Sequence, residues 1–207
     1  MTKTPELRRI EMIFDFASPN AYLAYHALTP QLATHAAALE LTPCLLGGIF
    51  KATSNQAPMI AFANVAGKLD YEMLEMRRFI ARYGLSRFRM NPHFPVNSLL
   101  LMRAMIAAGP QAQAAYVKSC LAAMWEDGKP MADPATVAHV LTEAGLNAEQ
   151  ILADAQTDLV KQTLVKNTET AVKRGAFGIP TFFVGEEMYF GKDRIPQMLE
   201  FLATGVP

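Results

Sequence analysis

A serine lies at the junction between a predicted strand and a predicted helix, in the segment FDFASPNAYLA at residues 14–24. Ser18 followed by Pro19 is typical of a helix start, because serine is a favoured N-cap and proline is tolerated at the next position. Backbone N–H groups and the positive end of the helix dipole also converge there, which favours an anion. Ser18 is therefore either a helix cap or a hydroxyl that helps to hold a bound anion.

The cysteines and histidines offer little further chemistry. Cys44 and Cys120 lie far apart among apolar neighbours, with no C-x-x-C pair and no zinc spacing. Both are predicted to be buried free thiols. The four histidines form no ligand motif, so no metal is expected.

The charge balance limits the partners that the protein can attract. Lysine plus arginine equals aspartate plus glutamate, at 19 each, so neither nucleic acid nor an anionic membrane surface is expected to bind. The start of the chain has no apolar signal segment, and no later run is both long and uncharged enough to span a bilayer. The sequence predicts a cytoplasmic protein of one domain, or of one domain with an insertion.

A β-α-β unit is predicted at the start of the chain. Residues 11–16 and 40–46 have strand character, and residues 19–38 between them have helical spacing. Residues 68–173 are rich in alanine, leucine and methionine at helical spacing. Within them, Asp133-Pro134 and Asn147 are predicted to begin helices.

A hairpin and a last helix are predicted near the end. The strands TFFV and EMYF flank Gly185-Glu186, a pair suited to a type II′ turn, and Asp193 is the predicted N-cap of a helix with Pro196 in its first turn. The order β-α-β, helices, β-β-α is that of an α/β thioredoxin-like fold with a large all-helical insertion. The predicted domains are a thioredoxin-like domain of residues 1–67 and 174–207 and an inserted helical domain of residues 68–173.

Pro180, in the segment GIPT, stands where thioredoxin-fold proteins carry a cis-proline that faces the tip of the first helix. A cis bond would leave the N–H and C=O of Ile179 free to pair with an extended peptide such as glutathione. The alternative is an ordinary trans proline that bounds a strand.

Residues 18–21 take the place of the C-x-x-C of the redox members of this fold. A serine hydroxyl cannot carry out thiolate chemistry, which excludes disulfide exchange through a protein dithiol. A hydroxyl at a helix N-terminus can instead donate to a bound thiolate and lower the pKa of a glutathione thiol.

Four blocks in order carry a family resemblance: FDFASPNAYLA, LGGIFKATSNQAP, FPVNS and GAFGIPTFFVGEEMYFGKDRI. Through them the chain resembles, over nearly its whole length, the 2-hydroxychromene-2-carboxylate isomerases and the related kappa-class glutathione transferases. The resemblance implies glutathione as cofactor, with Ser18 activating its sulfur and the backbone of Ile179, before the cis bond, holding the tripeptide. It also implies that Asn55 contacts glutathione, and that Asp193 and Arg194 handle its charged glutamyl end. A homodimer is implied as well, with the methionine- and alanine-rich helices as the expected contact.

Several of these residues have ordinary alternatives. Asn55 lies among turn formers, and Asp193 can serve as a helix cap. Lys51 and Lys68 flank the predicted site in sequence, and each is either a ligand for a substrate carboxylate or a surface lysine. Lys192 stands where related proteins often have a small or polar residue, a departure that bears on glutathione affinity.

Three functions are open from the sequence. In a glutathione-dependent isomerase, the thiolate held by Ser18 would add to a conjugated carbon of an aromatic keto acid and leave after rotation about the resulting single bond. In a kappa-class-like transferase, glutathione would stay attached to the electrophile. The third function is that of a non-enzymatic peptide-binding thioredoxin-like domain, against which the KATSN and GKDR segments argue. A small aromatic molecule is the expected partner of either enzyme.

Overall fold

Four strands form one mixed sheet. The computed structural model describes residues 8–206. The strands are β1 Arg8–Phe14, β2 Ala37–Pro43, β3 Thr181–Val184 and β4 Glu187–Phe190. Their order in the sheet is β2-β1-β3-β4, with β1 and β2 parallel and the other two pairings antiparallel. This is the predicted thioredoxin topology.

The helices fill the chain between and after these strands. Over the described residues they are α1 Pro19–Leu28, α2 Leu46–Thr53, α3 Pro58–Ala61, α4 Lys68–Tyr83, α5 Leu99–Trp125, α6 Pro134–Glu143, α7 Ala148–Asp154, α8 Asp158–Lys173 and α9 Ile195–Thr204. Helix α5 is kinked at Gly109, whose φ of +70° and ψ of 175° are not helical and which precedes Pro110. Helices α4 to α8 occupy the predicted helical block, whose status as a separate domain stays a prediction. No helix in residues 8–206 combines the length and the apolarity that a membrane crossing needs.

The first elements differ from the expected bounds. Strands β1 and β2 begin earlier than predicted, because Arg8 and the residues after it form a parallel ladder with Ala37 and its successors. Helix α1 ends at Leu28 and continues only as a 3₁₀ turn over Thr29–Gln31. Pro30 has no backbone N–H, so the helical hydrogen bonding cannot continue through it.

Local capping signals had mixed success. Asp133 and Asn147 accept from the backbone N–H groups of Thr136 and Gln150, at 2.9 and 3.1 Å, as N-caps do.

The predicted hairpin is confirmed, with φ of +60° at Gly185 as a type II′ turn requires.

The predicted cap of the last helix is wrong. Asp193 lies inside a 3₁₀ turn, Lys192–Arg194, and α9 begins only at Ile195 with Arg194 as its N-cap residue. The Asp193 carboxylate is held by the ammonium group of Lys192 and not by the helix N-terminus. Pro196 does lie in the first turn of α9.

Both cysteines are buried and free, as predicted. Burial raises the pKa of the Cys44 thiol and that of the Cys120 thiol to about 12. Neither thiol is therefore a ready nucleophile near neutral pH.

The helical block packs against the loop that follows β1. Trp125, at the end of α5, is fully buried, and its ring stacks on Phe88 with centroids 5.9 Å apart. Its indole Nε1–H donates to the carbonyl oxygen of Phe16 at 3.0 Å. The end of α5 thus fixes the loop that leads to Ser18.

A buried carboxylate holds the same loop from the other side. Asp15 is fully buried; its Oδ2 accepts from the Leu46 backbone N–H at 2.7 Å and its Oδ1 accepts from the Ala17 backbone N–H at 2.9 Å. Burial raises the pKa of Asp15, while hydrogen bonds from Leu46, Ser98 and Ala17 oppose the rise. Asp15 therefore joins the end of β1 to the start of α2.

We expect Asp15→Asn to change how stability depends on pH. Because the pKa of Asp15 is raised in the folded state, its contribution is fully present below the ordinary aspartate pKa of about 3.9 and is lost as pH rises through the folded-state value. The difference in free energy of unfolding between wild type and variant should therefore shrink as pH rises above about 4. The variant also loses an acceptor, which costs about 1–3 kcal/mol.

Urea denaturation at a series of pH values measures this difference. Asp127→Asn, at an exposed position, is the matched control and should follow the wild-type curve. Parallel curves for wild type and Asp15→Asn would contradict the raised pKa.

Candidate functional site

Ser18 caps α1 and also reaches the segment before β3. Its Oγ accepts from the Ala21 backbone N–H at 3.2 Å, which is the predicted N-cap bond. Its hydroxyl donates to the carbonyl oxygen of Ile179 at 2.9 Å. One nearly buried hydroxyl thus joins the first helix to a residue 161 positions away.

The peptide bond between Ile179 and Pro180 is cis, as predicted. The carbonyl of Ile179 was expected to be free, but it accepts a hydrogen bond from the Ser18 hydroxyl. The backbone N–H of Ile179 donates to no residue within 8–206. The carbonyl of Pro180 accepts from the Gly191 N–H at 2.9 Å, which ties this segment to the turn after β4.

Asn55 follows α2 and contacts the segment before Ile179. Its side-chain Nδ2 donates to the carbonyl oxygen of Phe177 at 2.8 Å, and its Oδ1 accepts from the Gln56 N–H at 2.8 Å. The preceding residue, Ser54, has a left-handed conformation with φ of +54°. Asn55 is therefore a turn residue whose side chain also contacts the chain two residues before Ile179, the residue that Ser18 binds.

The 3₁₀ turn after β4 presents an unexpected ion pair. The Lys192 Nζ lies 2.8 and 2.9 Å from the two carboxylate oxygens of Asp193, and 4.9 Å from the centre of the Phe79 ring. The Lys192 side chain is 8% exposed and that of Asp193 is 65% exposed, while Arg194 is exposed. The turn packs against α1, so these charges lie on the same side of the molecule as that helix.

The two candidate substrate lysines lie elsewhere. Lys51 is exposed in the last turn of α2 and lines a cavity whose lining residues do not include Ser18. Lys68 begins α4, pairs with Glu72 and lies 5.1 Å from the centre of the Phe62 ring. Neither lysine shares a hydrogen bond with Ser18, and their role in binding a carboxylate stays a prediction.

Sequence reasoning missed the residues that hold Ser18 in place. The carbonyl oxygen of Asp15 accepts from the Ser18 N–H at 3.2 Å, beside the side-chain bonds already described. An aspartate directly after an apolar strand was the available signal. Trp125 gave no such signal, because its contact with Phe16 spans 109 positions. The cis bond between Phe94 and Pro95 was also not predicted.

The aromatic residue one turn after Ser18 faces a different group. The hydroxyl of Tyr22 donates to Glu126 Oε1 at 2.9 Å, and Glu126 also pairs with Arg87 at 2.6 Å. Burial, with the neighbouring Glu126 carboxylate, raises the pKa of Tyr22. The phenol is therefore an anchor to α5 and not a donor directed at Ser18.

The chemistry that this arrangement can perform is anion binding without a protein thiol. Ser18 supplies a hydroxyl at the N-terminus of α1, and residues 18–21 contain no cysteine. In the described part of the chain, no cluster of three or more His, Cys, Asp or Glu side chains could hold a metal ion.

Comparisons with known proteins agree with the observed fold and with the family resemblance of the sequence. The 2-hydroxychromene-2-carboxylate isomerase of Pseudomonas sp. (strain C18) is 28% identical over 201 residues, which cover 96% of this chain and 91% of that protein. Glutathione S-transferase kappa 1 of Rattus norvegicus is 26% identical, with 96% and 92% covered. A solved structure of 2-hydroxychromene-2-carboxylate isomerase superposes with a TM-score of 0.78 at 26% identity, over 94% of each chain.

One domain type covers nearly all of this sequence. The family model of the DSBA-like thioredoxin domain matches residues 9–203, which include all the candidate site residues from Ser18 to Arg194. The chain therefore belongs to the DSBA-like thioredoxin domain family.

Proposed function

We propose that the chain is a glutathione-dependent isomerase of the 2-hydroxychromene-2-carboxylate type, acting on an aromatic keto acid or its hemiketal. The observation that carries the proposal is the Ser18 hydroxyl, which bridges the N-terminus of α1 and the carbonyl of Ile179 where redox members carry cysteine. The isomerase of Pseudomonas sp. (strain C18), at 28% identity over nearly the whole chain, supports the reaction class.

The residues present suit a glutathione site. The N–H of Ile179 is an unused donor within the described chain, and its carbonyl oxygen keeps a second lone pair, so the segment can pair with a peptide as a strand does. Asn55 and the exposed Arg194 add polar groups, and the exposed Asp193 carboxylate, paired with Lys192 in the structure, keeps lone pairs that can accept from a second ammonium group. We assign these residues, with Pro180, to glutathione binding.

Ser18 would act through its hydroxyl and its place on the helix. Turning the hydroxyl hydrogen from the Ile179 carbonyl to a bound sulfur would stabilise the thiolate, together with the N–H groups of the first turn. When bound, glutathione supplies a recyclable nucleophile for addition to a conjugated double bond. The low exposure of Ser18 keeps water from competing for that hydroxyl.

A kappa-class-like transferase is the second candidate, because the rat transferase is similar over 96% of this chain. The same Ser18 site would serve it, and the difference lies in whether the adduct collapses back to free glutathione.

The homodimer implied by the resemblance also stays a proposal, which sedimentation velocity would test.

Ser18→Ala should abolish the ionisation of bound glutathione. In wild type we expect glutathione to bind with proton release near neutral pH, because the hydroxyl and the helix N-terminus favour the thiolate. The variant should lose that release and lower kcat by about 10- to 100-fold, as expected for one charge-assisted hydrogen bond. Calorimetric titration in buffers of different ionisation enthalpy measures the proton release.

The control is Ser119→Ala, a serine on α5 whose hydroxyl donates to the carbonyl oxygens of Ala115 and Tyr116 in the same helix. Ser18→Ala also removes an N-cap worth about 1 kcal/mol, so its folding is checked by thermal melting. Unchanged proton release in the variant would return Ser18 to a capping role. Absence of glutathione binding to wild type would favour the non-enzymatic peptide-binding domain.

Lys192→Met should tighten glutathione binding. In the structure the Lys192 ammonium occupies both oxygens of Asp193, the carboxylate that we assign to the glutamyl ammonium. Removing this competitor should raise affinity about two- to fivefold, because the Asp193 side of the pair is exposed to solvent and ion pairs screened in this way are worth about 0.2–1 kcal/mol. Titration calorimetry measures the change, with Lys173→Met as an exposed control. Unchanged or weaker binding would argue against Asp193 as the ammonium acceptor.

Product analysis separates the two enzyme reactions. Incubation with glutathione and 2-hydroxychromene-2-carboxylate should give the ring-opened isomer with glutathione recovered, since addition and release both occur within one turnover. Mass spectrometry after protein removal measures free and conjugated glutathione. A stable conjugate in stoichiometric amount would identify a transferase. If neither the isomer nor the conjugate forms, 2-hydroxychromene-2-carboxylate is not a substrate of this protein.

A further inference from the structure

A cavity of about 530 Å³ lies between α2, α5 and α8, apart from the Ser18 site. Apolar side chains form much of its wall, among them Leu45, Leu99, Leu164 and Val165. Ser18 is not among its lining residues, and neither are the other residues assigned to glutathione. The volume falls in the range of sites that enclose small organic molecules.

Cationic groups outnumber acidic ones around this cavity. Its lining contains Lys51, Arg103 and Lys161 but one acid, Glu169. An adjoining cleft of about 320 Å³ shares Arg103, Lys161 and Glu169 and adds Lys166. The whole chain is neutral, so this local positive excess is a feature of how the helices assemble and not of composition.

Arg103 is the cation best placed to hold a ligand. It lies on α5 and is partly buried, and its Nε is buried with no hydrogen-bond partner in the described chain. It forms no ion pair with any residue from 8 to 206, whereas Lys161 lies 3.6 Å from the Asp158 carboxylate. A buried donor without an acceptor is costly, and the planar guanidinium pairs best with a carboxylate.

We propose that this cavity binds a small apolar carboxylate, such as an aromatic acid. The carboxylate lies on the Arg103 guanidinium, and the apolar part of the ligand packs against Leu45, Leu99 and Val165. Lys51 and Lys161 add a positive rim that attracts the anion. The proposal goes beyond the isomerase site and does not depend on it, because neither Ser18 nor any residue assigned to glutathione lines the cavity.

Titration of naphthalene-2-carboxylate into the full-length protein tests the proposal. We expect binding of one molecule per chain, and weaker binding of the uncharged analogue 2-naphthylmethanol. Arg103→Met keeps an unbranched apolar stem but removes the guanidinium and its charge, and should weaken naphthoate binding about 10- to 100-fold. Arg103→Lys should restore part of the affinity, since it restores the charge without the planar donor pair.

The matched control is Lys118→Met, which removes an exposed cation from α5 outside the cavity lining. It should bind naphthoate as wild type does. Val165→Trp provides a second approach, because Val165 is 57% exposed at the cavity and a larger side chain there can fill the space while Arg103 stays intact. This variant should lose binding.

Three results would overturn the proposal. Binding unaffected by Arg103→Met and by Val165→Trp would place the probe elsewhere. Binding lost in Ser18→Ala but kept in Arg103→Met would assign the probe to the serine site. A change from dimer to monomer on Arg103→Met or Val165→Trp, seen by sedimentation velocity, would show that a second copy of the chain covers the cavity. Glutathione titration of the same variants measures whether the Ser18 site still binds glutathione, independently of naphthoate binding in the cavity.

Discussion

The buried carboxylate of Asp15 is the interaction on which the surroundings of Ser18 depend. Its oxygens accept from Ala17 and Leu46, and its main-chain carbonyl accepts from Ser18, so one residue sets the loop before α1 and the start of α2. Burying a carboxylate is costly unless donors surround it, and here they come from separate segments of the chain. The sheet and the helices can hold the serine only when they are assembled together.

The same constraint connects the two regions that we propose to bind ligands. Leu45, in the wall of the cavity lined by Arg103, donates its backbone N–H to the Thr168 hydroxyl oxygen at 3.0 Å. The N–H of the next residue, Leu46, donates to the Asp15 carboxylate. The start of α2 is thus shared by the cavity and by the loop before Ser18. Two regions with different chemistry rest on one helix end.

Features with a signal inside a few residues were predictable from the sequence. The caps at Asp133 and Asn147 and the turn at Gly185 each depend on neighbouring residues, and the structure has all of them. Asp193 carried a capping signal as well, but Lys192 competes for its carboxylate, and an ion pair with the adjacent residue leaves no trace in a capping pattern. The length of α1 was overestimated although Pro30 was present in the sequence.

The candidate site divides in the same way. Topology and resemblance located Ser18 opposite Pro180, whereas Lys51 was chosen for closeness in sequence and lies instead in the wall of a separate cavity.

Trp125 is the single tryptophan of the chain, and its indole N–H is bound to the carbonyl of Phe16, two positions before Ser18. Indole emission responds to the polarity and hydrogen bonding around the ring. The protein therefore carries an intrinsic fluorophore attached to the loop of its candidate catalytic serine, and a rearrangement of that loop would be visible in solution without any added label.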